Sequence, residues 1–325
     1  MIVPMRDAEH HAIPLLEALL AQECDRGRTE IVAVDNGSRD GTWACLNKIG
    51  RQSDIPLVLV QENGGASSYC ARNAGIRAAR GQILAFTDAD CRPKPDWLAW
   101  LMAGFCSPEV GLVAGEIVAA PGENWIGRYC ARWGMLSQRY VLTHPHAPYA
   151  QTASLAIRRA VFIDVGLFRS GMISGGDADL CWRAARAGWK LQFVRGAVVV
   201  HHHRTTLRGL WEQWKRYGWG QEHLRELHGA PTMSVRSGAQ RLAALFRSEG
   251  RRMPIRISTA ADLPLVLLCW AAFQAGRAAR NRAGGCRVAA ARELGGHVLE
   301  LSAVHGLGQA DLCYLTASPA GPEEV

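Results

Sequence analysis

The chain has 325 residues, 48% hydrophobic and 20% charged, globular values that exclude disorder outside the last few residues, Ser318 to Val325, and fit one large α/β domain with an extension. A net charge of +8 suits anionic partners such as nucleotides, phospholipid head groups or nucleic acid, without choosing among them. Ten cysteines fall singly, with no Cys-x-x-Cys pair, and Arg6, Asp7 and Glu9 interrupt any secretory apolar run, so a reduced cytoplasmic setting is expected.

Ile2-Val3-Pro4 starts a short strand, and Ile13 to Gln22 follows as a helix with Leu15, Leu16, Leu19 and Leu20 on one face. Glu30 to Val34 reads as a second strand that ends in the turn Asp35-Asn36-Gly37-Ser38, after which Asp40 or Thr42 can cap a helix. Leu57 to Val60 is a third strand, Ser67 to Ala79 a helix, and Ile83 to Phe86 a fourth strand bounded by Gly81, Pro93 and Pro95. Four strand and helix alternations in about ninety residues predict a largely parallel sheet with helices on both faces. Further on, Gly111 to Ala119 is a strand and Pro121 to Tyr149 an aromatic-rich variable insertion. Ser154 to Ile157, Asp177 to Ala187 and Leu191 to Val200 supply a strand, a helix and a strand, and a basic amphipathic helix starts at Leu207.

Ligands bind outside the carboxyl ends of strands in such sheets, and Asp35, Asn63 and Asp88 all lie just past strand ends. Asp88-Ala89-Asp90 carries two carboxylates two residues apart, a spacing that on a strand turns both to one side. Their mutual repulsion calls for a counter-ion, and oxygen ligands suit Mg²⁺ or Mn²⁺ bridging to a diphosphate. An Asp-rich turn after a strand is the plainer reading of the same residues.

The order of Ile2-Val3-Pro4, Val34 to Thr42, Asn63-Gly64-Gly65, Ala71-Arg72-Asn73-Ala74-Gly75, Asp88-Ala89-Asp90, Ala156 to Phe162 and Asp177 to Arg183 resembles the inverting family 2 glycosyltransferases over roughly residues 1 to 220. The resemblance implies the GT-A fold, a mixed and mostly parallel α/β sheet flanked by helices, in a domain spanning 1–229. It also implies a nucleotide-diphospho-sugar donor (UDP-sugar or GDP-sugar), a glycan or lipid-linked acceptor, and Mg²⁺ or Mn²⁺. Donor binding would fall to Pro4, Asp35, Asn63, Arg72 and Asp88, with Asp35 accepting a hydrogen bond from the base. Asp35 also suits an Asx-turn, and Arg72 an exposed helix face. The metal would fall to Asp90 and His201.

Asp177 is the candidate general base, placed to take the proton of the acceptor hydroxyl while the metal stabilises the departing diphosphate. The family pattern commonly has Glu-Asp-x-Asp-Leu here, whereas this chain has Gly176-Asp177-Ala178-Asp179-Leu180. Asp179 then reads as a supporting acid or a first-turn acid of the helix. After the apolar strand Ala197 to Val200, His201 and His203 share one side and His202 the other. Gln213-Trp214-Lys215-Arg216-Tyr217 is similar to the Gln-x-x-Arg-aromatic motif of processive members, so Gln213, Arg216, Asp179 and His203 are assigned to the acceptor or diphosphate region. An amphipathic surface helix explains the same five residues equally well.

Beyond Gly229 the resemblance fades into a basic helical extension, 230–325. Leu263 to Gly276 is an apolar run shorter than the ~20 residues of a membrane span. It is flanked by Arg247, Arg251, Arg252 and Arg256 on one side and Arg277, Arg280 and Arg282 on the other. The pattern fits a peripheral helix on the inner face of the cell membrane and, equally, a buried helix with solvated ends. Rival activities are a nucleotidyltransferase, which would want a Gly-rich loop and lysine near the first strand that the chain lacks, and a non-catalytic nucleotide-sugar-binding protein. Nucleic-acid binding rests on net charge alone and is set aside.

Overall fold

Short apolar runs separated by turn residues become the strands of one sheet, and the longer amphipathic runs between them fold back as helices. The computed structural model describes residues 1–50, 53–63, 67–122, 124–144, 146–229, 262–279 and 312–314. In the first part β1 (Ile2–Met5), α1 (Glu9–Leu20), β2 (Ile31–Asp35), α2 (Thr42–Gly50), β3 (Leu57–Gln61), α3 (Ser68–Ala78) and β4 (Ile83–Phe86) alternate as expected. There follow β5 (Cys91–Pro93), α4 (Trp97–Ala103), β6 (Val110–Ala119), α5 (Trp125–Arg132), α6 (Gln138–Leu142), β7 (Leu155–Arg158) and α7 (Arg159–Val165). The remainder comprises α8 (Gly176–Arg186), β8 (Lys190–His201), α9 (Leu207–His228), α10 (Leu263–Ala278) and β9 (Leu312–Tyr314).

The strand order is β3-β2-β1-β4-β7-β6-β8-β5, with β9 also on β8. Pairing is parallel from β3 through β4, antiparallel on both sides of β7, and parallel again between β6 and β8. Alternate residues of each strand feed opposite faces. Ile2, Val32, Val34 and Phe86 pack with Ile76, Phe162, Phe168 and Leu180, whereas Val3, Met5, Ile31 and Ala33 pack with Leu15, Leu16, Leu19, Leu46 and Trp97. Helices therefore cover both faces, and polar chemistry is left to the strand ends.

Three elements differ from the sequence reading. α1 begins at Glu9, a turn before Pro14, because its open N-H groups are taken from outside: Ala8 N-H donates to Thr42 Oγ1 (2.8 Å) and Glu9 N-H to Asp40 Oδ2 (3.0 Å). β5 and α4 fill the stretch after Asp90, to which the sequence pattern assigned no element. β5 pairs only with β8, so it is an edge strand, where Pro93 is tolerated. The aromatic-rich stretch holds α5 and α6, and α5 buries Ile126, Tyr129 and Cys130.

α10 lies across α9 at a contact that only glycines allow. A Cβ on Gly218 would sit 2.1 Å from the Phe273 carbonyl oxygen, and one on Gly276 would sit 2.0 Å from that of Lys215. Leu265, Val266 and Cys269 pack with α5 and Leu210, while Leu267 and Trp270 face outward. One face of α10 is thus a buried helix packed on the first 229 residues. Among the described residues no helix is long and apolar enough to cross a membrane. Arg247, Arg251, Arg252, Arg256, Arg280 and Arg282 lie outside the described residues, as do Gly64 and Gly65.

Candidate active site

The chain order reverses across β1, which has β2 on one side and β4 on the other, and in such sheets the ligand crevice is expected at the carboxyl ends of these strands. Pro4 lies in β1 opposite Val34, and Asp35 closes β2, buried. Asp35 Oδ1 accepts from Ser38 N-H at 3.2 Å, so the Asx-type turn is present at the same carboxylate expected to meet the base. Asn63 is exposed past β3, across from the turn at Gly37, whose φ of 69° suits glycine.

Asp88-Ala89-Asp90 is a turn past β4, closed by Cys91 N-H donating to the Asp88 carbonyl (3.0 Å), and not a continuation of the strand. The two carboxylates accordingly take different partners. Asp88 accepts from Arg72, which is buried on α3 and not on an exposed helix face, and Arg72 also donates to Ser68 Oγ (2.9 Å). Burial raises the Asp88 carboxyl against the opposing charge of Arg72, and Asp90 adds to the rise. Asp90 lies 3.4 Å from His201 Nε2 and 3.4 Å from Arg204. Burial acts to raise the Asp90 carboxyl too, but the charge and hydrogen bond of His201, with Arg204 behind them, hold it well below the usual carboxylate range.

Cys91 stands opposite His201 in the β5–β8 register, so ligand atoms of Asp90, Cys91 and His201 lie within 4.8 Å of one another. A carboxylate oxygen and an imidazole nitrogen fit Mg²⁺ or Mn²⁺. The thiol does not, because it is soft and because burial, with Asp90 and Asp88 nearby, pushes it well up and keeps it protonated. His203 shares the side of His201, their rings 4.8 Å apart, and its imidazole is pushed down to about 4 by burial and then by His201. His202 turns the other way, its ring 6.2 Å from that of His11. A cleft of about 610 Å³ opens there, lined by His10, His11, Arg92, His202, His203 and Arg204.

Asp177 stands in the first turn of α8, half-buried. Tyr69 of α3 donates its hydroxyl to Asp177 Oδ1, and Oδ2 accepts from Thr152 N-H (3.1 Å) and Thr152 Oγ1 (3.2 Å). Arg72 lies over the Tyr69 ring at 5.3 Å. Asp88, Arg72, Tyr69 and Asp177 therefore form one contact chain across the crevice. The loop into α8 is set by Asn73, whose amide exchanges hydrogen bonds with the Phe168 backbone (2.8 and 3.1 Å), and by Gly175, whose φ of 81° is left-handed.

Of the residues assigned to the acceptor or diphosphate region, Asp179 is turned into the interior, while Gln213 and Arg216 stand on α9 around Tyr217, a phenol on which the charges of Arg216, Arg204 and Asp90 act. Asp179 is fully buried in an ion cluster with Arg169 (2.9 Å), Arg183 (2.9 Å) and His228 (2.8 Å), which locks α8 to the end of α9. Helix periodicity turns Asp177 and Asp179 to different sides; Arg183, four residues on along α8, is a partner that helix spacing allows, whereas Arg169 and His228 arrive from outside the helix. Gln213 is buried and donates to Tyr217 Oη (2.8 Å) within α9. Arg216 is exposed and joins no ion pair of this cluster. Tyr69, Thr152 and Arg204 were missed. The one available signal was Gly176, a residue without a side chain where the pattern has a long one.

The family model for glycosyl transferase family 2 matches residues 1–166. The chain belongs to that family. It is 34% identical over 249 residues to the pre-mycofactocin glycosyltransferase of Mycobacterium tuberculosis, covering 69% of this chain and 52% of that protein. It is 32% identical over 208 residues to the glycosyltransferase AglE of Haloferax volcanii, covering 62% and 66%. The chain thus spans about half the length of the Mycobacterium relative. In fold it is similar to a mannosyltransferase, PcManGT, from Pyrobaculum calidifontis in complex with GDP-Man and Mn²⁺, with a TM-score of 0.59, 21% identity and 85% of each chain covered. GalNAc-T7 with UDP, GalNAc and Mn²⁺ is similar at a TM-score of 0.51 and 17% identity, covering 75% of this chain and 53% of that one. The fold is the GT-A fold of these structures.

Proposed function

We propose that this enzyme transfers a sugar from a nucleotide-diphospho-sugar to an acceptor hydroxyl with inversion, using a divalent cation. The carrying observation is the contact chain from Asp88 through Arg72 and Tyr69 to Asp177, which sets a carboxylate across the crevice from the turn that would hold the diphosphate. Asp177 takes the acceptor proton as the acceptor oxygen bonds to the anomeric carbon from the face opposite the leaving group. The bond from that carbon to the phosphate oxygen breaks, and the nucleoside diphosphate leaves. Mg²⁺ or Mn²⁺ held by Asp90 and His201 would neutralise charge on the diphosphate. Pro4, Asp35 and Asn63 border the base and ribose side, and Arg72 offers a cation at the start of α3, where helix N-H groups favour anions.

Two features support an acceptor that carries negative charge or sits on a lipid surface. The cleft beyond Asp90 is lined by arginine and imidazole, and α10 presents the apolar Leu267 and Trp270 outward, as a helix resting on a lipid surface would. A glycan or lipid-linked acceptor at the inner membrane face fits both.

The test is Asp177→Asn, which keeps the shape and removes the basic carboxylate. Sugar transfer or hydrolysis, measured with a panel of UDP- and GDP-sugars and Mn²⁺, should fall ~10² to 10⁴-fold, while donor affinity barely changes. Proton NMR of the product's anomeric signal reports inversion. Undiminished turnover in the variant would remove Asp177 as the base, and a retained anomeric configuration would remove the single-displacement chemistry.

A further inference from the structure

Resting on the reading of Asp177 as base, we propose that Tyr69 is its positioning residue, and that Oδ1 is the oxygen that receives the acceptor proton. The assignment follows from counting lone pairs. Each carboxylate oxygen offers about two acceptor sites. Both sites of Oδ2 are used by Thr152, through its N-H and its hydroxyl, whereas among the described residues Oδ1 accepts from the Tyr69 hydroxyl alone and keeps one site open.

The direction of the Tyr69 hydrogen bond is fixed as well. Gly176 N-H donates to Tyr69 Oη at 2.9 Å, so a lone pair of the phenol is occupied and its own proton points to Asp177. Burial, reinforced by the Asp177 charge, pushes the phenol well above its ordinary range, so it remains a neutral donor across the working pH. The ring has little freedom to move. It is 4% exposed, stacks on Phe168 at 5.5 Å and lies under the Arg72 guanidinium.

The same ring explains the glycine in the Gly-Asp-x-Asp-Leu stretch. A Cβ on residue 176 would lie 2.7 to 2.8 Å from three carbons of the Tyr69 ring, closer than packed atoms approach. A tyrosine at 69 and a side chain at 176 compete for one volume, and this chain has given it to the tyrosine. Arg72, Asp88, Tyr149 and Cys181 are the other charged or titratable groups acting on Asp177. None of them donates to its carboxylate in the hydrogen bonds above.

Tyr69→Phe separates positioning from packing, since it keeps the ring and removes only the hydroxyl. A hydrogen bond to a carboxylate favours the charged form, so its loss should raise the proton affinity of Asp177 about tenfold or more. The readout is the pH titration of the Asp177 carboxyl carbon in full-length protein labelled with ¹³C-aspartate, the signal being assigned by its loss in Asp177→Asn. The titration should move up by about one pH unit or more in Tyr69→Phe. The acid limb of the donor-hydrolysis rate should move with it, while the affinity for UDP with Mn²⁺ stays the same. An Asp177 carboxyl that titrates alike in wild type and Tyr69→Phe overturns the role of Tyr69. If Asp177→Asn is inactive while the titration is unmoved, the tyrosine inference fails and the base survives. If Asp177→Asn is fully active, the base falls and the tyrosine role falls with it.

Discussion

Asp179 is where chemistry and architecture separate, and replacing it with asparagine gives a measurable cost. Burial acts to raise its carboxyl, but the hydrogen bond from His228 and the charges of Arg183 and Arg169 outweigh this and push it down to about 2 from an ordinary 3.8. At about 1.4 kcal/mol for each tenfold change in proton affinity, the ionised carboxylate stabilises the fold by about 2 kcal/mol. Because the folded value is depressed, that contribution is complete above about pH 4 and is lost as pH falls toward 2. Asparagine removes the charge at every pH and leaves two guanidinium groups facing an amide, and stripping one member from a buried ion cluster costs about 3 to 5 kcal/mol. The lower end applies, because Arg183 also donates to the carbonyls of Gly166 (3.2 Å) and Leu167 (3.0 Å) and so keeps part of its satisfaction. Urea unfolding at pH 7, followed by circular dichroism, should show a lower midpoint with an unchanged slope. Between pH 4 and 2 the gap between wild type and variant should shrink. Where the variant is still folded, its turnover should fall far less than that of Asp177→Asn. An unchanged urea midpoint, or a gap constant with pH, would refute the assignment.

Asp90→Ala should lose most of the Mn²⁺-dependent gain in UDP affinity, by at least about tenfold, because it deletes the carboxylate beside His201. Calorimetry with UDP, with and without Mn²⁺, decides this, and wild-type affinity in the variant would deny Asp90 a metal role. Leu267→Glu combined with Trp270→Glu should reduce co-sedimentation with anionic vesicles, since both side chains are exposed on α10, and should leave the unfolding free energy from urea titration within about 0.5 kcal/mol of wild type. Equal pelleting of the variant would leave α10 with its packing role alone.

Legibility in the sequence followed the range of the forces involved. β1 to β4 were readable because each is an apolar run between turn residues, and the positions of Asp35 and Asp88 followed from the strand ends. The side-by-side placement of His201 and His203 followed from strand alternation. β5 was hidden because two prolines and an arginine in Cys91 to Pro95 mimic a turn, and its strand geometry depends on pairing with β8, some hundred positions away. The partners of Asp88 and Asp90 were hidden for a similar reason. Spacing suggested one shared side, but the chain turns before Asp88, and tertiary contacts then assign one carboxylate to Arg72 and the other to His201 and Arg204.

Gly176 shows how a missing side chain can point to another residue's role. Read along the chain, a glycine where a family pattern has glutamate suggests lost chemistry, which would suit a binding protein without turnover. In the structure the adjacent Asp177 still carries three hydrogen bonds, and the Gly176 N-H closes the network by orienting the phenol that supplies one of them. The glycine removes a Cβ that would strike the Tyr69 ring, and Gly175 before it supplies the left-handed turn that opens α8. Tyr69 packs in the core against Phe168, but packing alone requires neither its hydroxyl bond to Asp177 nor the Thr152 contact on the other carboxylate oxygen. On the proposed reading, this joint geometry holds the Asp177 carboxylate through three hydrogen bonds and leaves Oδ1 the less occupied of its two oxygens.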